Sequence, residues 1–121
     1  MAMILIMDDE AQVRKMLKKV LEKNGYDVIE AVNGNQGIKL YEQLLPDLII
    51  TDLIMPEKEG LESIRELKKI NPDVKIIAMS GGGIADPKVY LNLATKLGAV
   101  HTFAKPVENE ILVSTIKELI S

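Results

Sequence analysis

No cysteine occurs in the 121 residues, which excludes a disulfide framework, a zinc knuckle, a thiol nucleophile and an iron–sulfur site together. Tryptophan is also absent, phenylalanine occurs once and tyrosine three times, so the chain has little from which to build stacking platforms for bases. Long apolar runs are missing as well. The longest uncharged one near the start, Ala2 to Met7, has no basic residue before it and Asp8-Asp9-Glu10 directly after, wrong in length and flanks for a secretory signal or a membrane span. A formal charge of −3, with lysines scattered rather than gathered beside aromatics, gives no nucleic-acid surface. The single histidine, His101, offers no metal site by itself and reads as a surface or partly buried polar side chain. There is no internal repeat, low-complexity segment or linker. The length suits one domain over residues 1–121, and the lack of cysteine fits a reducing, cytoplasmic setting.

What is present is an alternation of short aliphatic runs with longer stretches of helical period. The predicted strands are Met3–Met7, Tyr26–Ala31, Leu48–Thr51, Val74–Met79 and Ala99–Phe103. The predicted helices are Glu10–Asn24, Asn35–Leu45, Glu59–Ile70, Pro87–Leu97 and Glu108–Ile120. Val13, Met16, Leu17, Val20 and Leu21 form an i, i+3, i+4, i+7, i+8 stripe on the first helix, with Gly25 as its stop. Asp86-Pro87 opens the fourth helix with a cap residue followed by proline at the first helical position, and Gly98 closes it. Strands that are aliphatic without alternation, separated by amphipathic helices, predict a parallel sheet covered on both faces. Five of them suit the flavodoxin-like α/β order 2-1-3-4-5 with five helices.

In such a sheet ligands bind beyond the carboxyl ends of the strands, where the strand order reverses. Strand 1 ends in Asp8-Asp9, strand 3 in Asp52, strand 4 in Ser80 and strand 5 in Lys105-Pro106; strand 2, at the edge, ends in Asn33-Gly34. Carboxylates held together repel unless a cation sits among them, and Mg²⁺ takes one or two carboxylates, keeps waters and accepts phosphate oxygens. Asp52 beside such an ion suits an aspartyl phosphate, with Lys105 as a point charge on the phosphoryl group and the Ser80 hydroxyl as a donor to it. Each residue also has a plainer reading. Asp9-Glu10-Ala11-Gln12 resembles a capping box, and Ser80-Gly81-Gly82-Gly83 reads as a flexible loop that lacks a P-loop ending. Arg14, Lys15, Lys18 and Lys19 read as a solvated helix face.

From end to end the chain resembles the receiver domain of two-component response regulators. The resemblance is carried by Ile4-Leu5-Ile6-Met7-Asp8-Asp9-Glu10, by Asp47-Leu48-Ile49-Ile50-Thr51-Asp52-Leu53-Ile54-Met55-Pro56 with Gly60, by Ala78-Met79-Ser80, and by Gly98-Ala99 leading to Lys105-Pro106. It implies that Asp52 accepts a phosphoryl group from a sensor histidine kinase or phosphotransfer protein. It further implies that Asp9 binds Mg²⁺ directly, Asp8 partly through water, and that Asp52 and the backbone carbonyl of Ile54 complete the protein ligands. Ser80 and Lys105 would respond to the phosphoryl group and shift the face made by helix 4, strand 5 and helix 5. That face would meet a downstream partner, an output domain or a second copy of the chain; no output domain follows helix 5, as in a stand-alone receiver or one cut from a longer protein.

One position departs from the family pattern. Thr102 stands where the family usually has a switching aromatic, and Phe103, the next residue, falls on the opposite face of the strand. The three glycines after Ser80 then point to a mobile loop as the output element. Three alternatives rank lower. A Mg²⁺-dependent phosphohydrolase would want a carboxylate at Ile54, a flavin carrier would be repelled by Asp-Asp-Glu, and a partner-binding pseudo-receiver would not keep the acidic cluster.

Overall fold

The computed structural model describes residues 2–54, 60–81 and 87–120. Five strands, β1 (Met3–Met7), β2 (Asp27–Ala31), β3 (Leu48–Asp52), β4 (Ile76–Ser80) and β5 (His101–Ala104), alternate with α1 (Ala11–Lys23), α2 (Gly34–Leu44), α3 (Gly60–Ile70), α4 (Pro87–Leu97) and α5 (Asn109–Ile120). All neighbouring strands are parallel and their order is β2-β1-β3-β4-β5, the flavodoxin-like arrangement expected from the sequence.

The absence of alternation in the inner strands has a direct cause. Residues of both parities are buried because each sheet face carries its own core. Ile4, Ile6, Leu48, Ile50, Ile77 and Met79 point toward α1 and α5, where Leu17, Leu21, Leu112 and Ile116 meet them. Leu5, Met7, Ile49, Ile76 and Ala78 point the other way, against Tyr41 of α2, Ile64 and Leu67 of α3 and Ala94 of α4. The edge strands β2 and β5 are only partly buried, as their position requires.

Helix ends follow local chemistry. Asn33 caps α2 by accepting the Gln36 backbone N–H at 2.8 Å, so the polar end of β2 serves as a helix start. Leu45, at φ 47°, leaves α2 in the left-handed region directly before Pro46, where the proline disfavours continuing the helix. Gly98 turns the chain out of α4 at φ 115°. The plainer reading of Asp9-Glu10-Ala11-Gln12 as a capping box does not describe the start of α1. Glu10 occupies the cap position without a side-chain cap bond, and it is Asp8 that accepts the Glu10 N–H, at 2.9 Å. The expected cap at Asp86 and the glycines at 82 and 83 lie outside the described residues.

Register places the site. Met7 lies opposite Thr51, Asp52 opposite Met79 and Ser80 opposite Ala104, so the carboxyl ends of β1, β3, β4 and β5 finish at one level.

Candidate functional site

Asp8 leaves β1, Asp52 closes β3, Ser80 closes β4 and Lys105 follows β5. Lys105 draws the group together. Its Nζ donates to Asp8 Oδ2 at 3.0 Å and lies 3.5 Å from Asp52 Oδ1 and 3.6 Å from Glu10 Oε1. Its backbone N–H donates to the Ser80 carbonyl at 2.8 Å, which locks the start of the β5–α5 connection onto the tip of β4. Gly81 makes this approach possible, because a Cβ there would lie 2.7 Å from Lys105 Cβ. Gly60 does the same for β3: a Cβ would fall on the carbonyl oxygen of Asp52, and its N–H donates to the Leu53 carbonyl at 2.9 Å.

The carboxylates are held out of water, Asp8 at 1% exposure and Asp52 at 6%. Burial, and then the Asp8 charge, push the Asp52 carboxyl up to about 6, while Lys105 pulls against them. Burial alone would lower the Lys105 ammonium, but the Asp8, Asp52 and Glu10 carboxylates outweigh it and leave its pKa raised. One lysine among several carboxylates leaves negative charge in excess.

One oxygen each from Asp8, Glu10 and Asp52 lie within 4.8 Å of one another. That spacing is close to what a hard cation with ligands at about 2.1 Å can span. The partly open rim, where Asp9 and Glu10 are exposed, leaves room for the waters Mg²⁺ retains. Donor type, excess charge and a carboxyl destabilised by its neighbours all fit a divalent cation. Ser80 adds a second incomplete feature: its side-chain oxygen is fully buried and has no hydrogen-bond partner among the described residues.

The structure thus brings together Asp8, Asp52, Ser80 and Lys105. Asp9 is exposed and outside the trio of close carboxylates, though near enough for its charge to add to the rise at Asp52. Ile54 lies just past β3 and is partly exposed. Thr102 is half-buried and opposite Ala78; Phe103, next to it, packs on the α1/α5 core and stacks with the exposed His101 at a centroid distance of 4.6 Å.

Two residues escaped the sequence reading. Glu10 was hidden because it looked like a partner in a cap. Arg14, expected on a solvated face with Lys15, Lys18 and Lys19, is only 16% exposed in its side chain; it donates to the Asp8 carbonyl at 2.8 Å and pairs with Glu30 at 3.3 Å. The available signal was Glu30, a lone charge in the run Val28-Ile29-Glu30-Ala31 that needs a cation beside it.

Residues 4–117 match the family described as the response regulator receiver domain. The chain belongs to that family. It is 37% identical over 117 residues to the chemotaxis protein CheY of Thermotoga maritima, covering 96% of this chain and 95% of that one. It is 31% identical over 115 residues to sporulation initiation phosphotransferase F of Bacillus subtilis, covering 95% of this chain and 90% of that one. Among solved structures, a response regulator receiver domain protein from Clostridium thermocellum superposes with a TM-score of 0.92 at 33% identity, over 99% of this chain and 94% of the other. This receiver domain therefore aligns over nearly all of its length with relatives of similar length, and shares its fold with receiver structures. Among its described residues no helix is long and apolar enough to cross a membrane.

Proposed function

We propose that this receiver domain is a phosphorylation-dependent signalling switch whose acceptor is Asp52. The observation that carries the reading is the Asp8–Lys105–Asp52 group, tied by the Lys105 backbone to Ser80, whose hydroxyl is buried without a partner among the described residues. An ionised Asp52 oxygen attacks the phosphorus of a phosphohistidine on a sensor kinase or phosphotransfer protein; the new P–O bond forms as the P–N bond breaks, and the imidazole leaves with the electron pair. Lys105, already 3.5 Å from Asp52, pairs with the added negative charge, and the Ser80 hydroxyl donates to a phosphoryl oxygen. Asp8, Asp9, Asp52 and the Ile54 carbonyl, with Glu10 beside them, would hold Mg²⁺, which when bound neutralises charge on the incoming phosphoryl group.

The change spreads because Lys105 is fixed to Ser80 by its backbone and leads directly toward α5. A local charge event at Asp52 thereby biases the face formed by α4, β5 and α5. That face is the place for a downstream protein, an output domain or a second receiver. With Thr102 in β5, the signal passes through the backbone link between Lys105 and Ser80 rather than through a rotating ring.

The test is intact-mass spectrometry after incubation with acetyl phosphate, with and without Mg²⁺, on wild type and Asp52→Asn. The expected result is a Mg²⁺-dependent gain of one phosphoryl group that disappears in the variant. Equal labelling of Asp52→Asn would place the acceptor elsewhere, and no labelling of wild type would leave a partner-binding fold without phosphorylation.

A further inference from the structure

Arg14 touches the acidic cluster without belonging to it. Its Nη1 donates to the main-chain oxygen of Asp8 at 2.8 Å, and its Nε sits 3.3 Å from Glu30 Oε1. The carbonyl of Asp8 is part of the peptide that joins Asp8 to Asp9, so a donor fixed on it sets the plane of that peptide and the direction in which Asp9 leaves the strand. The other side of Asp8 is held as well, since its N–H donates to the Ala31 carbonyl at 3.1 Å. Both anchors come from the end of β2: Ala31 through its backbone, Glu30 through the guanidinium it orients.

We propose that Arg14, aimed by Glu30, is a positioning residue that fixes the Asp8–Asp9 peptide and thereby sets the affinity of the acidic cluster for a divalent cation. The inference rests on the cation-dependent reading above. Groups outside a ligand shell that orient the ligands are worth about 10- to 100-fold in metal affinity. Arg14 suits the task better than lysine because its planar fork serves a carboxylate and a carbonyl in one geometry. Lys18 forms a useful contrast. It also pairs with Glu30, at 3.7 Å, but it is more exposed, and among the described residues it is Arg14 that holds the Asp8 carbonyl.

Positioning and simple charge predict opposite signs. Removing a cation near the cluster should tighten Mg²⁺ binding if Arg14 acts only through its charge, whereas loss of the peptide anchor should weaken it. The experiment is a MgCl₂ titration of the ¹⁵N-labelled protein at pH 7.5, following the amide shifts of residues 8–10 in wild type, Arg14→Met, Arg14→Lys and Lys18→Met.

The expected result is a rise in Kd of about 10-fold for Arg14→Met, a smaller rise for Arg14→Lys, and a value within twofold of wild type for Lys18→Met. In acetyl-phosphate labelling the half-saturating Mg²⁺ should rise for Arg14→Met while the plateau rate stays near wild type. Unchanged or tighter binding by Arg14→Met overturns the inference. If that variant does not fold, Arg14→Lys decides, and wild-type binding by it overturns the inference equally. A wild type that shows no Mg²⁺ response at all fails on the parent reading, a result distinct from a wild type that binds Mg²⁺ and a variant that matches it.

Discussion

Asp52 is a residue that folding makes uncomfortable. Its carboxyl titrates near 6 in the folded chain against 3.8 in the unfolded one, because burial and Asp8 both disfavour the charge. The folded state therefore holds the proton more tightly, and stability falls as pH rises from about 4 to about 6, with the full cost present above that window. At about 1.4 kcal/mol per unit, trimmed for partial solvent access, the cost is roughly 1–3 kcal/mol at neutral pH. Asp52→Asn cannot ionise and should be more stable than wild type by that amount at pH 7.5, with the gap closing toward pH 4. Urea unfolding at the two pH values checks this, and a gap of equal size at both would mean that packing, not charge, separates the proteins. Lys105→Met tests the same balance from the other side: it removes the group that pulls Asp52 down, so the Asp52 carboxyl should titrate higher still in ¹³C spectra. At this scale the sequence displayed the residue types at strand ends but not their environment. Glu10 looked like a cap partner and Arg14 like solvated surface, because a helical residue's exposure depends on which strand end its face meets, and that is decided by tertiary packing.

At the scale of elements, two glycines that open or line helices differ in what they tolerate. A Cβ on Gly60, at the start of α3, would land on backbone at Asp52 and Leu53, which cannot yield without moving β3 or α3. A Cβ on Gly37, inside α2, would meet the Met7 side chain first, its Sδ at 2.6 Å, and a flexible thioether can adjust where backbone cannot. Gly60→Ala should therefore cost about 2–3 kcal/mol and lower the affinity for Mg²⁺ as the Asp52 peptide shifts. Gly37→Ala should cost clearly less, since the gain of up to about 1 kcal/mol from replacing a mid-helix glycine offsets the crowding. Thermal melts of both variants, with and without MgCl₂, read the two effects separately; equal losses would show that Met7 is as rigid as the backbone.

Element order and sheet topology were legible because uniform aliphatic strands between amphipathic helices admit few packings. Strand ends were less so. β3 extends through Asp52 and β4 through Ser80 because parallel pairing with β4 and β5 continues past the last apolar residue, and hydropathy does not register backbone pairing. Met16, read as a stripe residue of the first helix, is 47% exposed, since the stripe is wider than the groove its helix covers.

Over the whole molecule the site is tied to global stability by its place in the sheet. Asp8 and Asp52 leave β1 and β3, adjacent central strands whose two faces feed both cores, so neither core can unfold and leave the site intact. A ligand that binds only the folded state then stabilises the entire domain, by about 2.7 kcal/mol at a hundred times its Kd. For a divalent cation this gain should depend on pH with a definite sign. Above about 6 Asp52 is ionised and the cation relieves an existing repulsion; below it, cation binding must displace a proton from Asp52, and apparent affinity should fall by up to about tenfold per unit. Circular-dichroism melts with and without 10 mM MgCl₂ should show a clear rise in Tm at pH 7.5 that shrinks at pH 5. Because the chain has no tryptophan, the helical signal is the suitable probe. A rise of the same size at both pH values would mean that the cation acts at a site that does not include Asp52, for the buried acid is what makes proton and cation compete.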